Sequence, residues 1–212
     1  MDRRGRCGSG DATRYAIEEE AFDVASVVDA IADATGGPVD VLGHSHGGIC
    51  ALEAALLTTG LRRLVLYEPP LAAASPPGWL DRMGGLLAQG RRAEIVLAML
   101  GDLAGLTAEE LALAQADPSW PGRVAAAHTV VREVRAVEAY RFEPARFASL
   151  AVPILLLDGG ASPPFLRAAT ETAAAGLPGA RVVTLAGQAH VAQNTAPELF
   201  CSAVLDFLGG GR

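Results

Sequence analysis

The chain has 212 residues, of which 50% are hydrophobic, 19% charged and 5% aromatic. Such an apolar content is enough to build a core and excludes a generally disordered chain. The length fits one domain with a subdomain. The 17 basic and 24 acidic residues give a formal net charge of -7, and an acidic total argues against nucleic acid as the partner.

The three cysteines, Cys7, Cys50 and Cys201, are widely spaced and form no C-x-x-C pair. This spacing predicts neither a disulfide framework nor a zinc site, and it favours a reducing compartment. No apolar segment follows the charged N-terminus, as a signal peptide would require. The longest apolar runs, such as residues 152–157, are much shorter than a membrane span of about 20 residues. We therefore expect a cytoplasmic protein with no membrane partner.

The first half of the chain alternates predicted helices and strands. Residues 1–14 are rich in Gly, Arg and Asp and predict a loop. Residues 18–34 predict a helix whose apolar face carries Phe22, Val24, Val27, Val28 and Ile31. A strand at 39–42, a helix at 46–59 and a strand at 64–67 follow.

The second half contains a long helical block and then returns to the alternation. Within residues 71–149, positions 107–110 form a capping box, and residues 122–140 predict the longest helix. Strands at 154–157 and 181–185 then alternate with helices at 164–175 and 196–208. Strands that alternate with helices predict an α/β fold with a mostly parallel sheet, built from residues 1–70 and 150–212 and interrupted by a helical insertion at 71–149.

Residues 43–47, GHSHG, fit the pattern G-x-S-x-G. They follow a predicted strand and open a predicted helix, which is the context that a nucleophile elbow needs. A tight turn there would lift the Ser45 hydroxyl clear of the sheet, and the helix N-terminus would favour negative charge beside it. The motif therefore predicts that Ser45 is a catalytic nucleophile.

With this motif the chain resembles the α/β-hydrolase superfamily over nearly its whole length. Residues 2–11 are similar to the family's D-x-R-G-x-G-x-S-D loop, with Cys7 where a small residue is usual. Residues 64–69 are similar to the strand after the nucleophile helix, and the 71–149 block stands where the family carries a helical cap. Residues 187–190, GQAH, resemble the segment that supplies the catalytic histidine.

The resemblance implies a role for several residues. His190 would be the general base for Ser45, and the His46 N–H would belong to the oxyanion hole. His44 is a neighbour of the nucleophile and a candidate for substrate binding. No further ligand cluster can be recognised around His44 and His46, so no metal is expected. Further substrate-binding candidates, each of which ordinary packing would also explain, are Trp79, Met83, Met99, Trp120 and His128.

The catalytic acid departs from the family pattern. Members usually carry an Asp in the loop after the third strand of this chain, where residues 159–163 read GGASP. Glu68, at the end of the preceding strand, is one substitute, and Asp158 is another. A chain with no acid is the third alternative. Its absence would remove tautomer control of the histidine, which can be worth about 10⁴ in kcat.

The second departure from the family pattern is the absence of its first strands, which precede the segment that resembles residues 2–11. One connection among them usually supplies the second oxyanion N–H, and losing one donor costs about 10²–10³ in rate. The fold would be N-terminally truncated, with strand 39–42 as an apolar edge that favours a homodimer. We expect Met1 to be an internal residue of a longer protein; a truncated gene and a deliberately shortened fold are the alternatives.

These features predict a serine hydrolase that cleaves a small apolar ester or thioester through an acyl-enzyme on Ser45. The apolar composition of the 71–149 block is the reason to expect a small-molecule substrate with an apolar acyl group. No G-x-G-x-x-G or Walker loop occurs, so no cofactor is expected. The alternative is a protein of the same fold with a non-hydrolytic role, in binding or in a cyclisation or lyase step of secondary metabolism.

Overall fold

The computed structural model of the protein describes residues 1–72 and 74–210. The strands are β1 Val39–His44, β2 Leu61–Tyr67, β3 Ile154–Gly159 and β4 Arg181–Leu185. They form a parallel sheet in the order β1-β2-β3-β4. All six residues of β3 are buried, which matches its nearly continuous apolar sequence and the burial of parallel strands on both faces. The predicted α/β fold with a parallel sheet is confirmed.

Helices precede, connect and follow these strands, and the register brings the strand ends together. His44 pairs with Tyr67, and Tyr67 pairs with Leu157. The residues that follow β1, β2 and β3 therefore meet at one edge of the sheet, where open parallel sheets bind ligands. The helices are α1 Ile17–Thr35, α2 His46–Ala54, α8 Pro164–Gly176, α9 Ala192–Thr195 and α10 Pro197–Gly209.

The predicted core face of α1 is wrong for three of its five residues, whereas Val28 is buried and Val24 packs against the inner cluster. Phe22, Val27 and Ile31 are exposed, whereas the inner side carries small residues: Ala21 and Ala25 pack with Ala54 of α2 in one apolar cluster. Small side chains allow close packing between the two helices, so they occupy the inner positions that the sequence pattern assigned to larger residues.

The middle of the chain is helical, as predicted, but more broken. The capping box is confirmed, because Thr107 Oγ1 accepts the Glu110 N–H at 3.2 Å and Glu110 Oε2 accepts the Thr107 N–H at 2.8 Å. The single helix predicted at 122–140 is wrong, since a 3₁₀ turn at Ala126–Thr129 divides it. The Thr129 hydroxyl bonds the Ala126 carbonyl at 3.0 Å, a local contact that competes with regular helix. The helices are α3 Trp79–Ala88, α4 Arg92–Ala98, α5 Ala108–Ala116, α6 Trp120–Ala125 and α7 Val130–Ala139, with a π-helical turn at Met99–Leu103 and a 3₁₀ turn at Pro144–Phe147.

The chain forms two compact units. One comprises Ile17–Ala73 and Tyr140–Arg212 and holds the sheet, and the other comprises Met1–Ala16 and Ala74–Ala139. The predicted boundaries differ from this grouping chiefly in the N-terminal segment, which they assigned to the core. Ion pairs explain the difference.

Two of these ion pairs join the N-terminal segment to α7. Arg6 binds Glu133 at 2.7 Å, and Asp11 binds Arg132 at 2.5 Å. None of the described helices is both long enough and apolar enough to cross a membrane.

Candidate active site

Ser45 occupies a strained turn between β1 and α2. Its φ of 52° and ψ of -127° lie in a region that residues other than Gly rarely adopt. The Ser45 N–H donates to the Tyr67 carbonyl at 2.9 Å, and its own carbonyl accepts the Gly48 N–H at 2.8 Å. The neighbouring strand and the start of α2 thus hold the turn in the form expected for a nucleophile elbow.

The first glycine of the motif is a steric requirement of this turn. A Cβ atom on Gly43 would lie 2.6 Å from the Gly47 carbonyl oxygen and 2.7 Å from Gly48 Cα. A Cβ atom on Gly47 would meet nothing within 4 Å. Close packing of the strand against the helix therefore selects Gly43, whereas the second glycine of the motif has space around it.

His190 and Glu68 form a buried pair. His190 Nδ1 lies 2.7 Å from Glu68 Oε2, and the side chains of both residues are almost completely inaccessible. The other carboxylate oxygen, Oε1, accepts the N–H of Gly159 at 2.7 Å. With both carboxylate oxygens engaged, Glu68 is held in one orientation against the histidine ring.

The surroundings of Glu68 favour its charged form. Burial by itself raises the pKa of this carboxyl, but hydrogen bonding with His190, with Ser162 and with the N–H of Gly159 outweighs burial and holds the pKa below its usual value. Glu68 is therefore an anion at neutral pH. An anion at this position holds a proton on Nδ1 of His190 and leaves Nε2 as the nitrogen that can exchange protons.

Two aromatic residues connect the nucleophile turn with the histidine segment. His44 Nε2 lies 2.8 Å from the His190 carbonyl oxygen, and the rings of these residues are 4.6 Å apart between centroids. The buried Tyr67 hydroxyl donates to the Ala189 carbonyl and accepts the Ala192 N–H at 3.1 Å. The backbone on both sides of His190 is thus fixed to the ends of β1 and β2.

Asp158 lies near this pair but bonds elsewhere. Its Oδ2 accepts the Thr184 hydroxyl at 3.4 Å, and it does not make the contact that Glu68 makes with His190. Burial, reinforced by the charge of Glu68, raises the pKa of Asp158. Of the two predicted acids, the structure therefore brings Glu68 to the histidine and directs Asp158 to β4.

His46 is the first residue of α2. Its N–H belongs to the first turn, whose amides point out of the helix end and favour negative charge close to Ser45. Its side chain has a different environment, since the donor atoms of His46, Glu20 and Cys50 all lie within 4.8 Å of one another.

The profile of the alpha/beta hydrolase family matches residues 1–203. The chain belongs to the alpha/beta hydrolase family. The superfamily inferred from the GHSHG motif is thus confirmed, and this membership supports hydrolase activity.

Solved structures of related proteins agree with the family. An alpha/beta hydrolase from Sphaerobacter thermophilus is 38% identical, with a TM-score of 0.78 over 98% of this chain and 80% of that one. A hydrolase from Pseudomonas aeruginosa is 26% identical, with a TM-score of 0.74 over 98% and 78%. The enol-lactonase from Burkholderia xenovorans is 21% identical and shows the same fold, with a TM-score of 0.73 over 98% and 79%. A search of the curated proteins gave no match.

The helical unit of this alpha/beta hydrolase contains five of the six substrate-binding candidates, and the sixth, His44, ends β1. Trp79 and Met83 are buried in the unit's own apolar cluster, and Met99 and Trp120 pack against that cluster. Trp79 also donates from Nε1 to Asp102 at 3.0 Å. His128 is only partly buried, and its Nε2 lies 3.4 Å from the Asp11 carboxylate. All five have partners within the unit, and their role in substrate binding stays a prediction.

Sequence reasoning missed two contributors to the site. The sequence pattern places Tyr67 in a strand, and it does not mark the N–H of Gly159 as a hydrogen-bond donor to the acid. The position of Tyr67 directly before Glu68 was an available signal, because a tyrosine at a strand end often directs its hydroxyl to a backbone partner when buried. Contacts to backbone N–H groups depend on register and leave no mark in the sequence.

Proposed function

We propose that this alpha/beta hydrolase is a serine hydrolase that cleaves small apolar esters or thioesters through an acyl-enzyme on Ser45. The observation that carries the proposal is the buried contact of 2.7 Å between His190 Nδ1 and Glu68 Oε2, in a chain whose G-x-S-x-G serine occupies a strained turn. This combination supplies a base whose tautomer is fixed and a nucleophile presented at the end of a strand.

The first half of the reaction would acylate the serine. His190 Nε2 accepts the proton of the Ser45 hydroxyl while Oγ attacks the carbonyl carbon of the ester. The negative charge that develops on the carbonyl oxygen is stabilised by the His46 N–H at the start of α2. Glu68 stabilises the imidazolium without taking its proton. The tetrahedral intermediate then breaks the ester bond, and His190 returns the proton to the leaving alcohol or thiol.

The second half would release the acid. A water molecule gives a proton to His190 as its oxygen attacks the acyl carbon, and collapse of this second intermediate returns the proton to Ser45 Oγ. The products are the free acid and the regenerated serine. An ester is also the bond that an enol-lactonase opens, and the Burkholderia protein of that name shares this fold.

The apolar composition of residues 74–139 supports small apolar acyl groups as the substrate class. Trp, Leu, Val and Ala side chains dominate its interior, and sites for small molecules are mostly lined by such residues. This part of the proposal concerns specificity and can fail independently of the chemistry on Ser45.

The test is labelling of the full chain with a fluorophosphonate probe, next to Ser45→Ala and His190→Ala. We expect the wild type to be labelled and both variants to lose the label while keeping the wild-type circular dichroism spectrum. Release of p-nitrophenol from acetate, butyrate and octanoate esters then ranks the acyl groups. A folded wild type that neither reacts with the probe nor hydrolyses any ester would overturn the proposal and favour a non-hydrolytic role.

A further inference from the structure

Glu20, His46 and Cys50 bring their side-chain donor atoms together, within 4.8 Å of one another. His46 and Cys50 are four residues apart in α2, so their side chains lie on one face of the helix, one turn apart. Glu20 belongs to α1, which packs against α2. We propose that these three side chains bind a divalent cation of the zinc type.

The distances fit a shared ion. All three donor atoms lie within 4.8 Å of one another, and Cys50 Sγ is 3.8 Å from Glu20 Oε2. With zinc bonds of about 2.0–2.3 Å in a tetrahedral arrangement, a sulfur ligand and an oxygen ligand stand roughly 3.6 Å apart. Small side-chain adjustments are therefore enough to place one ion among the three donors.

The chemistry of the donors selects the ion. A thiol, an imidazole and a carboxylate form a mixed sulfur, nitrogen and oxygen set, which suits zinc and related transition metals, whereas magnesium and calcium prefer oxygen ligands alone. Three protein ligands leave a fourth position for water, as zinc sites of this ligand number commonly do.

Burial adds a second argument. Glu20 is 0% exposed and Cys50 is 1% exposed, so an ion held between them would be shielded from bulk water, which tunes the chemistry of a metal site. His46 is only partly buried, so an ion can reach the site from its side. Among residues 1–72 and 74–210, no other three His, Cys, Asp or Glu side chains bring their donor atoms together in this way.

A bound ion would connect α1 to the first turn of α2. It uses the side chain of His46, whereas the proposed acyl chemistry uses the His46 N–H. The metal site therefore does not depend on the proposed function, and either one can be wrong without affecting the other.

The test is cobalt and zinc binding to the full chain, purified without a histidine tag and stripped with a chelator. We expect about one metal per chain by atomic emission, and with cobalt a thiolate charge-transfer band in the near ultraviolet and strong tetrahedral bands in the visible. Zinc should displace the cobalt and abolish these bands.

Matched variants assign the ligands. The double variant Cys7→Ala/Cys201→Ala keeps Cys50 as its one cysteine and should retain the thiolate band. Cys50→Ala should lose the band, and Glu20→Gln should bind zinc about tenfold or more weakly. A wild type without stoichiometric metal, or a double variant that has lost the band, would show that the three groups form only a hydrogen-bonded cluster and would overturn the proposal. Neither decisive measurement requires a substitution within the cluster.

Discussion

Glu68, which directly follows β2, contacts His190, which follows β4, with 2.7 Å between Oε2 and Nδ1. Its Oε1 accepts the N–H of Gly159 at 2.7 Å. The carboxylate is therefore fixed by the end of β3 at the same time as it orients the histidine. Glu68 itself has a φ of 44°, a conformation that costs free energy for a non-glycine residue. The chain turns sharply after β2 and directs this carboxylate into the site.

Replacing Glu68 by Gln should lower kcat by about 10⁴ while the protein stays folded, because a neutral amide does not hold the histidine in the tautomer required for attack. The measurement is kcat for a p-nitrophenyl ester that the wild type hydrolyses, together with the urea midpoint of each protein. Asp158→Asn is the matched control. It also neutralises a buried carboxylate, but Asp158 lies in β3 and does not contact His190. A loss of kcat in Asp158→Asn as large as in Glu68→Gln would contradict the assignment of the acid.

An Asp at position 162 should restore part of this activity. Ser162 stands in the loop after β3, where the family usually carries its acid, and its Oγ lies so close to Gly159 that a Cβ atom on that glycine would clash with it. In the Glu68→Gln background, Ser162→Asp places a new carboxylate beside the vacated charge. We expect kcat to rise about tenfold or more above that of Glu68→Gln alone, because the new carboxylate restores part of the rate enhancement that an acid beside the histidine provides.

The same substitution in the wild type provides the control for this rescue. Ser162→Asp alone should lower activity, because two carboxylates at short range repel each other and one tends to take up a proton. If the double variant is no more active than Glu68→Gln, the loop after β3 cannot deliver an acid to His190.

The candidate nucleophile and the candidate acid differ in how far the sequence could predict them. The elbow is a local feature, so its strand, turn and helix follow from a few adjacent residues, and the order of Ser45 before His190 follows from the family. The acid depends on which strand end stands beside the histidine. That choice is set by the register of β2 against β3, in which Tyr67 pairs with Leu157, and the sequence therefore left Glu68, Asp158 and no acid as alternatives.

The helices show the same limit. Apolar spacing located α1 to within one residue at each end, but it defined the buried face only in part: Ala21 and Ala25 pack against Ala54, while Phe22 and Ile31 stay exposed. Periodicity counts large apolar residues, whereas close contact between two helices requires small ones. The interruption at Ala126–Thr129 was missed for a related reason, because a hydroxyl that bonds to the backbone does not alter the hydrophobic pattern.

Asp158→Asn should stabilise the protein increasingly as the pH rises. The raised pKa of Asp158 means that the native state holds this proton more tightly than the unfolded chain does. As the pH rises above the unfolded-state pKa of about 3.9, the wild type therefore loses stability until the pH has passed the native pKa of Asp158. The asparagine of the variant does not ionise, so the variant does not lose stability in this way. The free energy of unfolding of the variant should thus gain on that of the wild type over this interval and keep its advantage at pH 7.

Urea unfolding between about pH 3 and pH 8 measures this difference, and Asp40→Asn is a control of opposite sign. A hydrogen bond from Arg62 lowers the pKa of Asp40, so the wild type gains stability from Asp40 as the pH rises towards about 3.9. Asp40→Asn should fall behind the wild type over that range and stay behind. An advantage of Asp158→Asn that does not change with pH would mean that the carboxylate is not strained by its surroundings.

Gly43→Ala should damage the elbow, whereas Gly47→Ala should leave it folded. The new Cβ at position 43 would lie 2.6 Å from a carbonyl oxygen of the next turn, and overpacking of this kind costs about 1–3 kcal/mol or more. At position 47 the new methyl group has open space, and alanine is about 0.5–1 kcal/mol better than glycine within a helix. Thermal unfolding and probe labelling of the two variants give the comparison. Equal stability of both would show that strand and helix can separate at the turn.

Tyr67→Phe should lower both stability and kcat, because the hydroxyl that bridges Ala189 and Ala192 fixes the backbone on either side of His190. Leaving these buried partners unsatisfied costs about 1–3 kcal/mol. Tyr140→Phe is the matched control, since its hydroxyl donates to Glu53 at 2.7 Å rather than to the histidine segment; it should lose stability and keep its kcat. A Tyr67→Phe variant that loses stability but keeps kcat would show that Tyr67 contributes only to stability and does not position His190. A variant that loses kcat in excess of any unfolding would show that the histidine needs its backbone held as firmly as its ring.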